Sequence, residues 1–252
     1  MKLTIIGMSG SYPGPDSPAS CYLVEQEHAG GVYRLLLDLG NGALGPLQRH
    51  VDLDKVDAVL LSHLHADHCI DLCGYYVVRK YALDAPWPRI PVYGPAGTAD
   101  RMARAYDLPL DPGMHEEFDF RAFPTGTFSL GPFQIRTTMV EHPVPAYAMR
   151  LEAGGRSLVY SGDTGECRAL VELADRADLF LCEASSVEGI ELPPGLHLTG
   201  KQAGEHATSA DVGRMVLTHI PPAIDTKQVF REAEETYTGE LEVARPGAMY
   251  SL

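Results

Sequence analysis

Residues 62–71, Ser-His-Leu-His-Ala-Asp-His-Cys-Ile-Asp, hold three histidines and an aspartate within six positions: His63, His65, Asp67 and His68. Imidazole and carboxylate are the usual donors for zinc and similar divalent ions. The apolar run Ala58-Val59-Leu60-Leu61 just before them reads as a buried strand, so the cluster falls on the loop where that strand ends. A loop leaving a rigid strand can aim several donors inward. His63 and His65 alternate as in an extended chain and fall on one side of it. Asp67 and His68 open the helical segment that follows and can serve a second ion. One histidine beside a core strand is usually a satisfied local group, but three at this spacing with an acid between them read as a metal site.

Three more ligand-type residues follow expected strands. His142 follows residues 134–140, Asp163 sits in Ser161-Gly162-Asp163-Thr164-Gly165 after residues 158–160, and His219 follows residues 215–218. Singly, each has an ordinary reading, since a histidine before proline can close a turn and an aspartate in such a turn often bonds its own backbone. Together they repeat the placement of the first cluster at a strand end, where parallel sheets present their sites. They also supply what the first four donors lack for two closed ligand sets, so a two-metal centre is the economical reading.

These side chains need a scaffold, and 252 residues are enough to bury a large core; one domain over residues 1–252 is expected. The N-terminal apolar run is too short for a signal peptide and no stretch approaches spanning length, so no membrane association is expected. Five cysteines, an odd number with no CxxC pair, suggest reduced thiols and a cytoplasmic location. The net charge of −14 with no basic run argues against a large nucleic acid as partner, because phosphate contacts normally require a basic face. A small substrate is expected instead.

Along the chain, strands are expected over 3–7, 21–25, 34–38, 58–61, 90–93, 118–123, 128–130, 133–140, 147–152, 157–160, 179–182, 214–218 and, as the last, 241–244. Helices are expected over 44–50, 70–82, 97–106, 167–173, 199–208 and 225–234. Residues 9–18 are rich in turn formers, and the glycine turn at 38–42 is a candidate phosphate-lining loop, although most such turns only reverse the chain. No internal repeat is visible. His28, His50, His115 and His206 read as surface or local groups, and Trp87 as packing. The alternation suggests two packed sheets with helices outside them.

The Ser-His-Leu-His-Ala-Asp-His stretch, followed in order by His142, the Gly-Asp-Thr turn at Asp163 and Thr218-His219, resembles the metallo-β-lactamase superfamily over essentially the whole chain. The resemblance implies a four-layer αββα sandwich, an α/β arrangement of two mixed sheets flanked by helices. It implies two divalent ions, zinc first and manganese as the alternative. One would be held by His63, His65 and His142, the other by Asp67, His68 and His219, with Asp163 bridging them.

A second pair narrows the branch. Glu183 ends an apolar strand run, and His197 precedes Thr199-Gly200-Lys201-Gln202, which fits a helix capping box. That places His197 beside a helix N-terminus, a favourable place for a phosphate. The pair resembles the glutamate and histidine of the phosphodiesterase branch that includes ribonuclease Z. The flexible arm that grips tRNA in short bacterial enzymes of that kind has no counterpart in the twenty residues between His142 and Asp163. Residues 14–20, 44–50 and 217–222 are similar to actinobacterial cyclic-nucleotide phosphodiesterases. The expected activity is therefore hydrolysis of a 3′,5′-cyclic nucleotide, cAMP first, by a hydroxide bridging ions about 3.5–4 Å apart. Asp67 would steer its proton, and His197, kept protonated by Glu183, would serve the leaving oxygen. An RNA 3′-processing endonuclease, a thioester or lactone hydrolase and a non-catalytic binding module of the same fold are the other readings. A homodimer is implied by resemblance only.

Overall fold

The computed structural model describes residues 1–191 and 193–252. Its strands, in chain order, are β1 (Lys2–Gly7), β2 (Cys21–His28), β3 (Gly31–Leu37), β4 (Ala58–Leu60), β5 (Ile90–Gly94), β6 (Phe118–Ala122), β7 (Thr127–Leu130), β8 (Phe133–Met139), β9 (Tyr147–Ala153), β10 (Arg156–Tyr160), β11 (Leu179–Glu183), β12 (Arg214–Thr218), β13 (Glu240–Val243) and β14 (Met249–Ser251). The helices are α1 (Leu44–Leu47), α2 (Ala66–Cys69), α3 (Leu72–Tyr81), α4 (Thr98–Ala105), α5 (Arg168–Ala174), α6 (Gly200–Ser209) and α7 (Thr226–Glu234).

Two seven-stranded sheets form, in the orders β14-β1-β2-β3-β4-β5-β6 and β13-β12-β11-β10-β9-β8-β7. Period-2 alternation decides which side each residue of the first sheet serves. Leu3, Ile5, Tyr22, Val24, Leu35, Leu37 and Leu60 face the second sheet and share a core with Phe133, Ile135, Leu151, Leu158 and Leu181. Their neighbours Ile6, Leu23, Leu36, Val59 and Leu61 face outward and pack with Leu72 and Tyr75 of α3 and Met102 of α4. The second sheet is covered outside by α5, α6 and α7 through Leu170, Ala203, Ala207 and Val229. Each sheet is mixed, giving the αββα sandwich.

The two sheets repeat one pairing plan that the sequence hides. From β14 inward, the first has three antiparallel pairings and then three parallel ones. From β7 inward, the second has the same succession. The parallel register of β10, β11 and β12 aligns Tyr160 with Leu181 and Glu183 with Thr218, bringing their C-terminal ends to one edge. The loop after β4 meets that edge where Tyr147 N donates to Ser62 O at 3.0 Å.

Several expected elements differ. The helix expected over 70–82 forms as α3, but Asp67 and His68, expected to open it, fall in a separate turn, α2; between the two, Asp71 Oδ2 accepts from Leu44 N at 2.9 Å. The helix expected over 44–50 is a single turn, α1. The last strand is not β13: three residues of β14 return to pair with β1, too short a segment for any alternation to be read. His206 is buried, donating from Nδ1 to Gln202 O at 2.8 Å and accepting from Cys167 N at 3.1 Å. Trp87 lies against the buried Arg79 guanidinium, in keeping with a packing role. Among the described residues no helix is long and apolar enough to cross a membrane.

Candidate metal centre

The seven donors expected to bind metal come from four separate segments, those that follow β4, β8, β10 and β12, and converge in two sets that share Asp163. His63, His65, His142 and Asp163 form one; Asp67, His68, Asp163 and His219 form the other. Nearest approaches in the first set are His63 Nε2 to His65 Nδ1 at 2.9 Å, His142 Nε2 to His65 Nδ1 at 3.3 Å and His63 Nε2 to Asp163 Oδ2 at 3.6 Å. In the second, His68 Nε2 lies 3.0 Å from His219 Nε2 and 3.1 Å from Asp163 Oδ1, and His219 Nε2 lies 3.1 Å from Asp67 Oδ2. Donors tetrahedrally arranged about 2.0–2.2 Å from one ion sit about 3.3–3.6 Å from each other. The clusters are close to that spacing.

The partner of each ring's other nitrogen fixes its tautomer. His68 Nδ1–H donates to Asp38 Oδ2 at 2.7 Å, and His142 Nδ1–H donates to Leu196 O at 3.0 Å. Ser185 Oγ donates to His219 O at 2.6 Å and therefore accepts from His219 Nδ1–H at 2.7 Å. Ser62 Oγ donates to Asp38 Oδ2 at 2.8 Å and accepts from His63 Nδ1–H at 3.1 Å. All four rings thus turn an Nε2 lone pair inward. Two such lone pairs facing each other at 3.0 Å, as in His68 and His219, repel unless a positive charge lies between them. Asp163 Oδ1 gives the same indication: it is buried and, despite lying 3.1 Å from His68 Nε2, has no donor aligned for a hydrogen bond. The residues fit a divalent cation in each set.

The ionisation of the site follows from burial and charge. Burial, reinforced by His68, holds His63 well below the usual histidine range, and burial lowers His65 and His142 as well, so these three are neutral and able to donate. Burial also opposes charge on Asp67, but the adjoining His219 and His68 rings outweigh it and hold the acid ionised. Burial likewise opposes charge on His68, yet Asp163 and Asp38 lift it well above the usual range. The buried acids demand a positive charge at this point, which a proton or a cation can supply.

Glu183 and His197 adjoin the centre. His197 Nδ1–H donates to Glu183 Oε1 at 2.8 Å, and its ring stands 5.5 Å from His219 and 5.7 Å from His142 between centroids. Glu183 is fully buried, accepting from Thr164 N at 2.8 Å, Ser185 N at 3.1 Å and Leu198 N at 3.3 Å. Burial works against the His197 proton, but the Glu183 carboxylate outweighs it and lifts the ring to about 9. The capping box at the start of α6 is present, with Thr199 and Gln202 bonding reciprocally.

Asp38 is a site residue that the sequence reading does not single out. Fully buried at the end of β3, it accepts from Ser62 N at 2.6 Å, Ser62 Oγ at 2.8 Å, His68 Nδ1 at 2.7 Å and Tyr160 OH at 2.7 Å. The signal was available, since Asp38 directly follows the apolar run Leu35-Leu36-Leu37, the same strand-end position that marked the other donors. Asp38 and His219 both have left-handed backbones, with φ of 58° and 53°, which side chains other than glycine seldom adopt outside functional turns. The glycine turn at 38–42 supports the site in a different way from a phosphate loop. A Cβ on Gly40 would lie 1.9 Å from the Asp67 carbonyl oxygen, so glycine is needed for the turn to back directly onto the donor loop.

Known proteins agree with this geometry. The model of the beta-lactamase superfamily domain matches residues 33–220. An uncharacterized protein of Mycobacterium leprae (strain TN) is 43% identical, covering 100% of this chain and 89% of its own length. The probable metallo-hydrolase YhfI of Bacillus subtilis (strain 168) is 28% identical over 99% of both chains, and its crystal structure superposes with a TM-score of 0.85, covering 99% of this chain and 98% of that one. A ribonuclease Z of Mycolicibacterium gilvum (strain PYR-GCK) is 31% identical, covering 90% of this chain and 87% of its own. From the family match, the two-sheet architecture and the clustered histidines and aspartates together, the chain belongs to the metallo-β-lactamase superfamily and has the fold of a metal-dependent hydrolase.

Proposed function

We propose that this chain is a two-metal phosphodiesterase that hydrolyses a 3′,5′-cyclic nucleotide, cAMP first, to the 5′-nucleotide. The observation that carries the reading is His197: a ring whose proton Glu183 holds, standing beside both donor sets. A thioester or lactone hydrolase has no need of such a cation beside a phosphate site.

In this reading His63, His65 and His142 would hold one ion and Asp67, His68 and His219 the other, with Asp163 available to either set. Zinc suits the imidazole-rich first set, and manganese is the alternative where carboxylates weigh more. Divalent ions held there would supply Lewis acidity toward a phosphodiester and acidify a water at neutral pH. Asp67, more exposed than Asp163, receives the proton of the attacking water. His197 gives its Nε2 proton to the departing 3′ oxygen, and Glu183 fixes the ring by binding Nδ1–H. Asp38 is a third buried carboxylate beside the centre and brings its net charge close to neutral, which makes the His197 charge the main attraction for an anionic substrate.

The cyclic nucleotide is favoured over RNA by charge and by length. The chain carries −14 overall, and residues 143–162 are taken up by β9, β10 and the tight turn Gly154-Gly155, leaving no arm to hold tRNA. The kinship with ribonuclease Z keeps RNA 3′ processing as the second reading. Parallel assays of cAMP hydrolysis and precursor-tRNA cleavage by the metal-loaded protein separate the two. His197→Ala should retain its metal and lose about 10²–10⁴ in kcat. Metal loss with full turnover per remaining ion would remove His197 from the reaction.

A further inference from the structure

A cavity of about 440 Å³ has His197 in its wall, within the range of small-ligand pockets. Its walls come from the turn after Asp163 (Gly165, Glu166), the loop after β11 (Ser186, Glu188, Ile190) and the start of α6 (Thr199, Gln202). Ser186 is almost wholly buried, and its hydroxyl has no hydrogen-bond partner. A buried hydroxyl left unpaired costs stability unless something completes it, so an orphan lining a cavity points to a ligand.

The polar groups of the wall are already arranged. Glu188 N donates to the buried Glu232 Oε1 at 3.0 Å, which ties the loop to α7. Thr199 Oγ donates to Glu188 Oε1 at 2.9 Å, which leaves Oε2 free to accept. Gln202 Oε1 takes the Thr199 N–H at 2.9 Å, so its amide NH₂ remains to donate. Ile190 and Pro193 add apolar surface, and among the described residues the lining contains no lysine or arginine.

From this we infer that the cavity binds the nucleoside part of the substrate, with Glu188 and Ser186 as its specificity-determining residues, and that Glu166 and Glu188 exclude chains carrying further phosphates. Two carboxylates, with the His197 charge committed to the reacting phosphate and already paired with Glu183, accept from the hydroxyl and amino groups of a nucleoside, and they repel a second phosphate. The inference rests on the phosphodiesterase reading and narrows its substrate to small phosphodiesters whose single phosphate lies at the metal centre.

The test uses the metal-loaded full chain with two kinds of probe. Bis(p-nitrophenyl) phosphate, which has no nucleoside, reports phosphodiesterase chemistry alone, and saturation-transfer NMR with adenosine, which has no phosphate, reports the cavity alone. Glu188→Gln and Ser186→Ala should each lower the kcat/KM ratio of cAMP to the aryl ester at least tenfold and weaken the adenosine signal. Glu166→Lys combined with Glu188→Lys should tighten binding of a short single-stranded oligoribonucleotide at least tenfold at low salt. Aryl-ester hydrolysis with no adenosine contact and an unaltered ratio overturns the cavity assignment and leaves the phosphodiesterase reading standing. Adenosine binding that depends on Glu188, without hydrolysis of either ester, upholds the cavity and removes the phosphodiesterase reading. Unchanged oligoribonucleotide affinity in the double lysine variant overturns the exclusion.

Discussion

Asp38→Asn replaces one oxygen by nitrogen in a fully buried carboxylate, and its consequences can be worked donor by donor. Oδ1 keeps the Ser62 N–H if the amide oxygen faces it, at 2.6 Å. The new NH₂ then faces three groups that formerly donated to Oδ2: Ser62 Oγ, Tyr160 OH and His68 Nδ1. The hydroxyls can rotate and accept. An imidazole can accept at Nδ1 only by moving its proton to Nε2, the atom that faces His219 at 3.0 Å, and that removes the inward lone pair. The backbone should be undisturbed, since asparagine tolerates the left-handed conformation at φ 58°. Losing the partner of a metal-bound histidine typically lowers metal affinity about 10–100-fold, equivalent to about 1.4–2.8 kcal/mol. Chelator competition read by elemental analysis should find one of two ions weakened by that factor in Asp38→Asn, and the ion of the His63, His65 and His142 set held as in the parent. Two ions bound with parental affinity would refute the tautomer argument.

Activity should hold through neutral pH and fall on the alkaline side, because the His197 proton is held up to about 9 and is lost as pH rises through that value. Cations in the adjoining sets repel that proton, so the basic limb of the kcat profile lies no higher than about 9; Glu183→Gln should move it toward acid, and an unmoved limb would assign it to another group. Chelation should lower thermal stability: a ligand at about 1,000 times its Kd adds about 4 kcal/mol, and at about 2–4 °C per kcal/mol the stripped protein should melt about 8–16 °C lower, whereas an equal Tm by calorimetry would mean that no ion was bound. Gly40→Ala forces a methyl against the Asp67 carbonyl oxygen, 1.9 Å from the ideal Cβ position, and should cost about 1–3 kcal/mol in denaturant unfolding together with metal loss.

The donor set was legible because each of its segments follows an expected strand. A chain that ends several strands at one edge must bring such residues near one another, so His63, His142, Asp163 and His219 could be assembled without coordinates. Asp38 follows the same rule but was read only as part of a glycine turn, because a lone acid among glycines has a local explanation and its bonds to Tyr160 and His68 span 122 and 30 residues. The break between α2 and α3 was illegible for a similar reason: Asp71 there reaches Leu44, a tertiary contact that a continuous helical pattern does not show. Three-residue β14 carries no periodicity of its own, and its pairing with β1 decides its conformation. The cavity beside His197 depends on how three distant segments close around empty space, which no local pattern encodes.

The shared pairing plan of the two sheets bears on how the protein can come apart. His63, His65, Asp67 and His68 belong to the half built on β1–β6, and His142, Asp163 and His219 to the half built on β7–β13. Each donor set draws from both, so a chain severed at the turn between β6 and β7 would leave two fragments, neither owning a whole coordination sphere. An ion bound at that seam would act as a rivet, fastening positions as distant as 68 and 219, and the capacity for chemistry would exist only while the halves are joined.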